Sequence, residues 1–434
     1  MGGLFMNSIV EKVLSENGLN LHMVPSKKYK TINIVAKFRA DLSRETITKR
    51  ALLPYILRQG TENYPTEKDL QLKLDDLYGA VLSIDGAKKG NNHIISFRLE
   101  VANQNYIADE SSIIDEAISL LKEIIFHPHA NNNAFDSQVF NREKETLHQK
   151  MNAVIDDKMA YANMRLIDEM CAGEAYELHV HGYEEDLDSM TAENTYDYYQ
   201  TLLSEDQLDL YVLGDFEEEV MKEKITSSIV KTKNVIITDK TIDISEKRDQ
   251  LNVVIDKQDV KQAKLHLGYR TNCTFQDDDY FALQVFNGIF GGFPSSKLFI
   301  NVREKNSLAY YAASRLESHK GLLLVFSGIA SSDYEQAREI IELQMVAMQN
   351  GDFTDAVLSE TKELIVNQLL ETLDHPQGII ELLYQQVLGN KKMTPDTLIT
   401  NIKQVTKEDV IKVANNIEED TIYLLKGEEG ETHE

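Results

Sequence analysis

Cysteine is scarce in this chain. Its 434 residues hold two, Cys171 and Cys273, far apart and outside any C-x-x-C pattern. That excludes a disulfide framework and argues against a cysteine zinc site. No apolar run reaches the ~18 residues needed to cross a bilayer, so membrane insertion is not expected. The first stretch, Met1–Val10, lacks the basic region and apolar run of a secretory signal. Positive charge is also short: 45 Lys and Arg stand against 71 Asp and Glu, a formal net charge of −26. Phosphate binding needs basic surface, which argues against nucleic acid as the main partner. The acidity has two open readings, solubility or an acidic inner surface that steers basic peptides. No two of the eleven histidines lie four residues apart, so no helix carries an i, i+4 imidazole pair. The close pairs, His127/His129 and His179/His181, read as loop or strand features. These absences lead us to expect a protein of a reducing, bacterial cytoplasm.

A hydrophobic fraction of 42% is enough for packed cores, and the length is too great for one ordinary core. Alternating stretches predict strands at Leu19–Val24, Thr31–Phe38, Val81–Asp85 and His93–Val101, with a turn over 86–92. Helices are expected near Thr46–Gln59, Lys68–Leu77, Ser111–Phe126 and Phe135–Ile155. The order then repeats. Strands are expected at Ala263–Tyr269, Leu308–Arg315 and Gly321–Ala330. Helices are expected at Tyr280–Phe290, Lys297–Lys305, Asp333–Gln349 and Asp355–Leu373. Gly291-Gly292-Phe293-Pro294 reads as a turn, with Ser295-Ser296 capping the next helix. This weak duplication predicts an α+β fold of two homologous domains, 1–230 and 251–434. The polar stretch 231–250 is the expected linker, although Val235–Ile237 has the makings of an extra strand.

Several short motifs fall along this layout. They are Ser15-Glu16-Asn17-Gly18-Leu19, Gln59-Gly60-Thr61-Glu62-Asn63-Tyr64-Pro65, the segment His179–Leu187, and Tyr211-Val212-Leu213-Gly214-Asp215-Phe216. The longest runs from Gly291 to Tyr310: Gly291-Gly292-Phe293-Pro294-Ser295-Ser296-Lys297-Leu298-Phe299, then Val302-Arg303-Glu304-Lys305 and Leu308-Ala309-Tyr310. In this order the motifs resemble the insulinase/pitrilysin/mitochondrial-processing-peptidase family over essentially the whole chain. The resemblance implies two domains, each a mostly antiparallel sheet with helices packed on one face. Such a two-domain unit is half of a hollow clamshell.

Active members of that family carry an inverted His-x-x-Glu-His zinc motif on a helix, with a further glutamate ligand from a later helix. Anchored on Gln59-Gly60-Thr61, the motif falls on Ala51, Pro54 and Tyr55. Alanine and proline have no ligand atom, a neutral phenol is a poor one, and a proline beyond the first turn is expected to kink the helix. The later helix keeps Glu143 but places Lys150, a cation, at the third-ligand position. No metal or other cofactor is therefore expected in this chain, and no catalytic residue. The resemblance carries a substrate-binding arginine–tyrosine pair onto Arg303 and Tyr310, and a glycine-rich segment onto Gly291 and Gly292. A guanidinium can donate to peptide carbonyls and a phenol to an oxyanion. The expectation is a non-zinc subunit of a heterodimeric metallopeptidase, not a peptidase alone. Its zinc-bearing homologue would hold the metal, and small unfolded peptides would be the substrate. The alternatives are an inert structural subunit, or a peptide-binding homologue that needs no zinc partner and forms a homodimer in isolation.

Overall fold

The computed structural model describes residues 9–107, 112–231, 233, 235 and 250–427. Most of the expected linker, and with it Ile236 and Ile237 of the expected extra strand, lies outside the described residues. In chain order the first elements are β1 (Lys12–Glu16), β2 (Leu19–Pro25), β3 (Thr31–Asp41), α1 (Ile47–Leu57), α2 (Glu67–Asp76), β4 (Val81–Lys89) and β5 (Asn92–Ala102). There follow α3 (Ile113–Phe126), a small hairpin of β6 (Ala130–Asn131) and β7 (Ala134–Phe135), α4 (Ser137–Asp156), α5 (Lys158–Met170), α6 (Glu184–Leu187), α7 (Ala192–Glu205), β8 (Gln207–Gly214) and α8 (Glu218–Ser228). The remainder begins with β9 (Asn252–Lys257), β10 (Ala263–Arg270), α9 (Tyr280–Asn287), β11 (Ala309–Glu317) and β12 (Leu322–Ile329). It ends with α10 (Tyr334–Gln349), α11 (Asp355–Asp374), α12 (Pro376–Leu388), α13 (Pro395–Gln404), α14 (Lys407–Asn416) and β13 (Glu418–Lys426).

The fold is α+β. The chain forms two compact units. The first takes Met1–Asn152, Leu178–Thr238 and His375–Leu383; the second takes Ala153–Glu177, Asp239–Asp374 and Tyr384–Glu434. Each is built on one sheet. The first sheet runs β1-β2-β8-β3-β5-β4 and the second β9-β13-β10-β12-β11. Apart from the extra β1, the two orders match strand for strand. In each, the pair at one side is parallel, β2 with β8 and β9 with β13, and the other pairings within that matched order are antiparallel. The duplication seen as a repeated order of segments is thus a duplication of topology.

Alternation along the strands fixes which face is apolar. In the first unit Ile34, Ala36 and Phe38 of β3, Phe97 and Leu99 of β5, and Leu210 and Val212 of β8 meet Leu52 and Ile56 of α1, Ala117 and Leu121 of α3, and Tyr199 and Leu202 of α7. The intervening residues of the same strands make a buried polar layer: Asn33, Lys37 and Arg39 on β3, Ser96 on β5, Gln207 and Asp209 on β8. In the second unit α5 lays Ala162, Leu166 and Met170 against Leu322, Leu324, Phe326, Tyr423 and Leu425.

Three details differ from expectation. Strand β4 runs on to Lys89, so the turn expected over 86–92 shrinks to Gly90–Asn91; the ladder with β5 stays paired as far as Lys89↔Asn92. Gly291 and Gly292 do not form a turn but belong to a π-helical stretch, Gly288–Gly292, that continues α9; the turn comes after it. The helix expected at Lys297–Lys305 is also π-helical over Phe299–Glu304. Ser296 starts it as expected, with its Oγ accepting from the Phe299 N–H at 3.4 Å.

Candidate functional site

The sequence resemblance aligns the zinc motif with helix α1. Nine of its eleven residues are buried, including Ala51, Leu52, Leu53 and Pro54. A helix buried on nearly all sides is held by packing rather than by propensity. That explains why it runs through Pro54, about two turns in, instead of breaking there. Ala51 and Pro54 point no ligand atom anywhere. Tyr55 is half-buried; burial pushes its phenol up, Arg58 pulls it back and the nearby Glu143 adds to the rise. On α4, Glu143 is buried and accepts from Arg142 Nε at 2.7 Å, while Arg142 Nη2 donates to Gln59 Oε1 at 2.6 Å. Lys150 lies two turns further along α4, exposed, and with His179 it adds to the lowering that burial imposes on the His181 imidazole. These residues do not fit a zinc ion. The donor set offers one shielded carboxylate, one neutral phenol and one ammonium.

The residue beside Ala51 was not legible as important. Arg50 is among the largest fully buried side chains of the described residues. Its Nε donates to His93 Nδ1 at 2.8 Å, Nη1 donates to Asp206 Oδ2 at 2.8 Å and to Tyr198 Oη at 3.1 Å, and Nη2 donates to the His93 carbonyl at 3.1 Å. Burial, together with Arg50, pushes the His93 imidazole down to about 3. Nδ1 accepts from Arg50, so the neutral ring carries its proton on Nε2. The turn after α1 is fixed by Thr61. Its Oγ1 accepts from the Tyr64 N–H at 3.0 Å and donates to Glu123 Oε1 at 2.5 Å. The Gly-Thr-x-x-Tyr-Pro motif is a local turn clasp. Among the described residues, no group of three or more His, Cys, Asp or Glu is gathered as a metal site requires.

Arg303 and Tyr310 both lie in the second unit, and both are exposed. Arg303 sits in the π-helical turn Phe299–Glu304, its guanidinium 4.6 Å from the centre of the Phe299 ring, a stacking distance. The chain then reverses: the Ser307 N–H donates to the Arg303 carbonyl at 3.1 Å, and the Leu308 N–H to the Val302 carbonyl at 3.1 Å. Ser307 takes a positive φ of 53° to make that reversal. Tyr310 follows on β11, an edge strand. Ala309 pairs with Ile329 and Tyr311 with Gly328, so Tyr310 is the unopposed residue of a β-bulge and stands 74% exposed. Bulges and π-turns re-aim side chains, and both recur at functional sites. Behind this segment, Gly291 is needed for contact. A Cβ there would meet Ser314, its backbone N included at 2.7 Å, and Leu298 Cδ1 at 2.7 Å. At Gly292 a Cβ would come within 2.9 Å of Asn287 Nδ2. Gly291 lets the π-helical stretch lie against β11, and Gly292 packs against Asn287 at the end of α9.

A family model described as the peptidase M16 inactive domain matches residues 189–365. A Bacillus subtilis protein named probable inactive metalloprotease YmfF is 47% identical over 425 residues, covering 98% of this chain and 100% of that protein. The chain belongs to the peptidase M16 family. Within it, the chain is a homologue of the inactive type, which is where the motifs resembling insulinase, pitrilysin and the processing peptidases pointed. The crystal structure of a conserved protein from Enterococcus faecalis V583 superposes with a TM-score of 0.89 at 34% identity, covering 97% of this chain and 99% of that one. A more distant M16 relative, the B. subtilis uncharacterized zinc protease YmxG, is 23% identical over 73% of this chain and 76% of its own length. Among the described residues no helix is long and apolar enough to cross a membrane.

Proposed function

We propose that this M16 chain is the non-zinc subunit of a heterodimeric zinc metallopeptidase. A homologous zinc-bearing subunit supplies the metal; this chain supplies substrate-binding groups and half the wall of a closed chamber. The observation that carries the reading is a contrast of exposure. On α1 the metal positions Ala51 and Pro54 are core side chains and Tyr55 is half-buried, whereas Arg303 and Tyr310 are held out into solvent on a π-turn and a bulged edge strand. Arg303 offers up to five N–H donors to peptide carbonyls, and its stacking on Phe299 limits the rotamer freedom lost on binding. Tyr310 offers a phenolic O–H to a developing oxyanion. Gly291 and Gly292 support this segment by allowing its close packing. Ala51, Pro54, Tyr55 and Lys150 are the vacated metal positions. The substrates are small unfolded peptides, and the net charge of −26 favours basic ones. Kinship with a protein named a zinc protease supports a partner of the same fold. We read the duplicated halves as domains 1–230 and 251–434. The two buried free thiols suit a reducing bacterial cytoplasm.

The test is reconstitution with a zinc-bearing M16 homologue from the same genome. A stable one-to-one complex that cleaves an unstructured peptide well above the homologue alone is the expected result. Activity no greater than that of the homologue alone contradicts the proposal. The second reading, an inert structural homologue, is favoured by one observation: the glycines of the Gly291 segment are fully accounted for by packing.

A further inference from the structure

The two units each contain a segment from the far side of the chain. Ala153–Glu177 lies between stretches of the first unit in sequence but belongs to the second, and His375–Leu383 does the reverse. Each of these two segments carries one glutamate that ends among basic side chains of the receiving unit. In the first unit Glu381 of α12 accepts from Lys37 of β3 at 2.6 Å, Lys89 of β4 at 3.0 Å and Arg98 of β5 at 3.3 Å; Arg98 also pairs with Asp85 of β4. In the second unit Glu174 accepts from Arg270 of β10 at 2.8 Å and from Lys320, in the turn before β12, at 2.6 Å. Arg270 further donates to Asp420 of β13 at 3.1 Å and to the Met170 carbonyl of α5 at 2.6 Å. Strands β3 and β10 hold equivalent places in the two sheets.

We infer that the fold contains two carboxylate sockets, one on each sheet, and that Glu381 and Glu174 are tethered ligands that latch the two exchanged segments into them. Lys37 is 2% exposed and Lys320 3%. A lysine buried that deeply is strongly destabilising unless a carboxylate meets it. The carboxylates answer in kind. Burial alone would raise the Glu381 carboxyl, but Lys37 and Lys89 pull it down to about 2. At Glu174 burial likewise raises the carboxyl, but Arg270 and Lys320 outweigh it and hold it below its usual range. The sockets differ in charge. The first has three cations against two carboxylates, so removing Glu381 leaves an excess of two positive charges. The second has two cations, Arg270 and Lys320, against Glu174 and Asp420, so removing Glu174 leaves an excess of one. An emptied first socket is the stronger receptor for a small carboxylate anion.

The test uses the full chain as Glu381→Ala and Glu174→Ala, followed by amide hydrogen exchange with peptide-level readout. Glu381→Ala should speed exchange in 376–383 about a hundredfold while 158–170 keeps its wild-type rate; Glu174→Ala should do the converse. Formate should restore protection in Glu381→Ala better than chloride at equal ionic strength, and more fully than it does in Glu174→Ala. If the alanine variant does not fold, Glu381→Gln, which keeps the shape but loses the charge, should still speed exchange in 376–383 and not in 158–170, and Glu381→Gly, which empties the socket, should show the formate selectivity. Exchange that rises equally in both segments, or in neither, overturns the latch. Chloride that matches formate overturns the socket as a carboxylate receptor.

Discussion

In helix α1 nine of eleven residues are buried, whereas every residue from Arg303 to Lys305 and on to Ser307 is exposed. In the function proposed above, the first segment stands for a metal helix and the second for a substrate clamp. The first has turned inward. Ala51 and Pro54 are core residues, and Arg50 next to them spends its donors on His93, Asp206 and Tyr198. The second has turned outward, through a π-turn, a positive φ at Ser307 and a bulge at Tyr310. Inward, the side chains stabilise the fold and can meet no ligand. Outward, they add little to the fold, and an Arg stacked on an aromatic ring is poised for a partner molecule. The difference teaches that the side chains of α1 are committed to the fold, whereas Arg303 and Tyr310 stand where a molecule in solution can reach them.

The comparison is broken most severely by reversing the inward turn. Ala51→His, Pro54→Glu, Tyr55→His and Lys150→Glu together restore two imidazoles at i, i+4 and two carboxylates. Elemental analysis after dialysis against zinc should then find one zinc per chain, against none in the wild type. No gain of zinc would mean that these four positions are not the vacated metal site. Next in size is the asymmetry of stability. Arg50→Ala leaves Asp206 buried and unpaired, and urea unfolding should show a loss of about 3–5 kcal/mol. Arg303→Ala should stay within about 0.5 kcal/mol of wild type in the same experiment. Equal losses would erase the distinction between the two segments.

A smaller effect separates the buried histidines by pH. His93 and His266 are both pushed down to about 3, by burial first and then by Arg50 and Lys264 respectively. The unfolded chain binds those protons near pH 6.5 and the folded one does not. Their contribution is therefore full above ~6.5 and is lost as pH falls towards 3. His22 has the opposite sign. Burial disfavours its charge, but Asp209 at 3.2 Å and Glu11 at 2.7 Å outweigh that and raise it. Its contribution is full below ~6.5 and fades as pH rises through the raised value. Thermal unfolding against pH should fall on the acid side from about 6.5. His22→Gln should flatten the decline on the alkaline side only.

Much of the fold was legible because its signals are local. The strands that became β2, β3, β10 and β12 alternate or run apolar, and α3 and α4 carry a clear helical face. What escaped has non-local causes. The partners of Arg50 lie 43, 148 and 156 residues away, and the signal in the sequence was only an arginine inside the apolar run of α1. The π-turns escaped because apolar spacing does not separate an i+5 ladder from an i+4 one. Gly291 and Gly292 read as a turn because glycine pairs usually mark one; here they permit close packing inside a helical stretch. The assignment of segments to units was invisible, since it depends on which sheet Glu174 and Glu381 reach. The place of Arg303 and Tyr310 was legible through the motif that contains them, but their exposure required the bulge.

The most direct measurement is peptide cleavage by a zinc-bearing M16 homologue from the same genome, alone, with this chain, and with its Arg303→Ala form. The account predicts a marked gain with the wild-type chain and a loss of at least about tenfold in kcat/KM, or ~1.4 kcal/mol, with Arg303→Ala, the complex remaining intact by light scattering. Cleavage that is indifferent to this chain, or equally supported by the Arg303→Ala form, would contradict it.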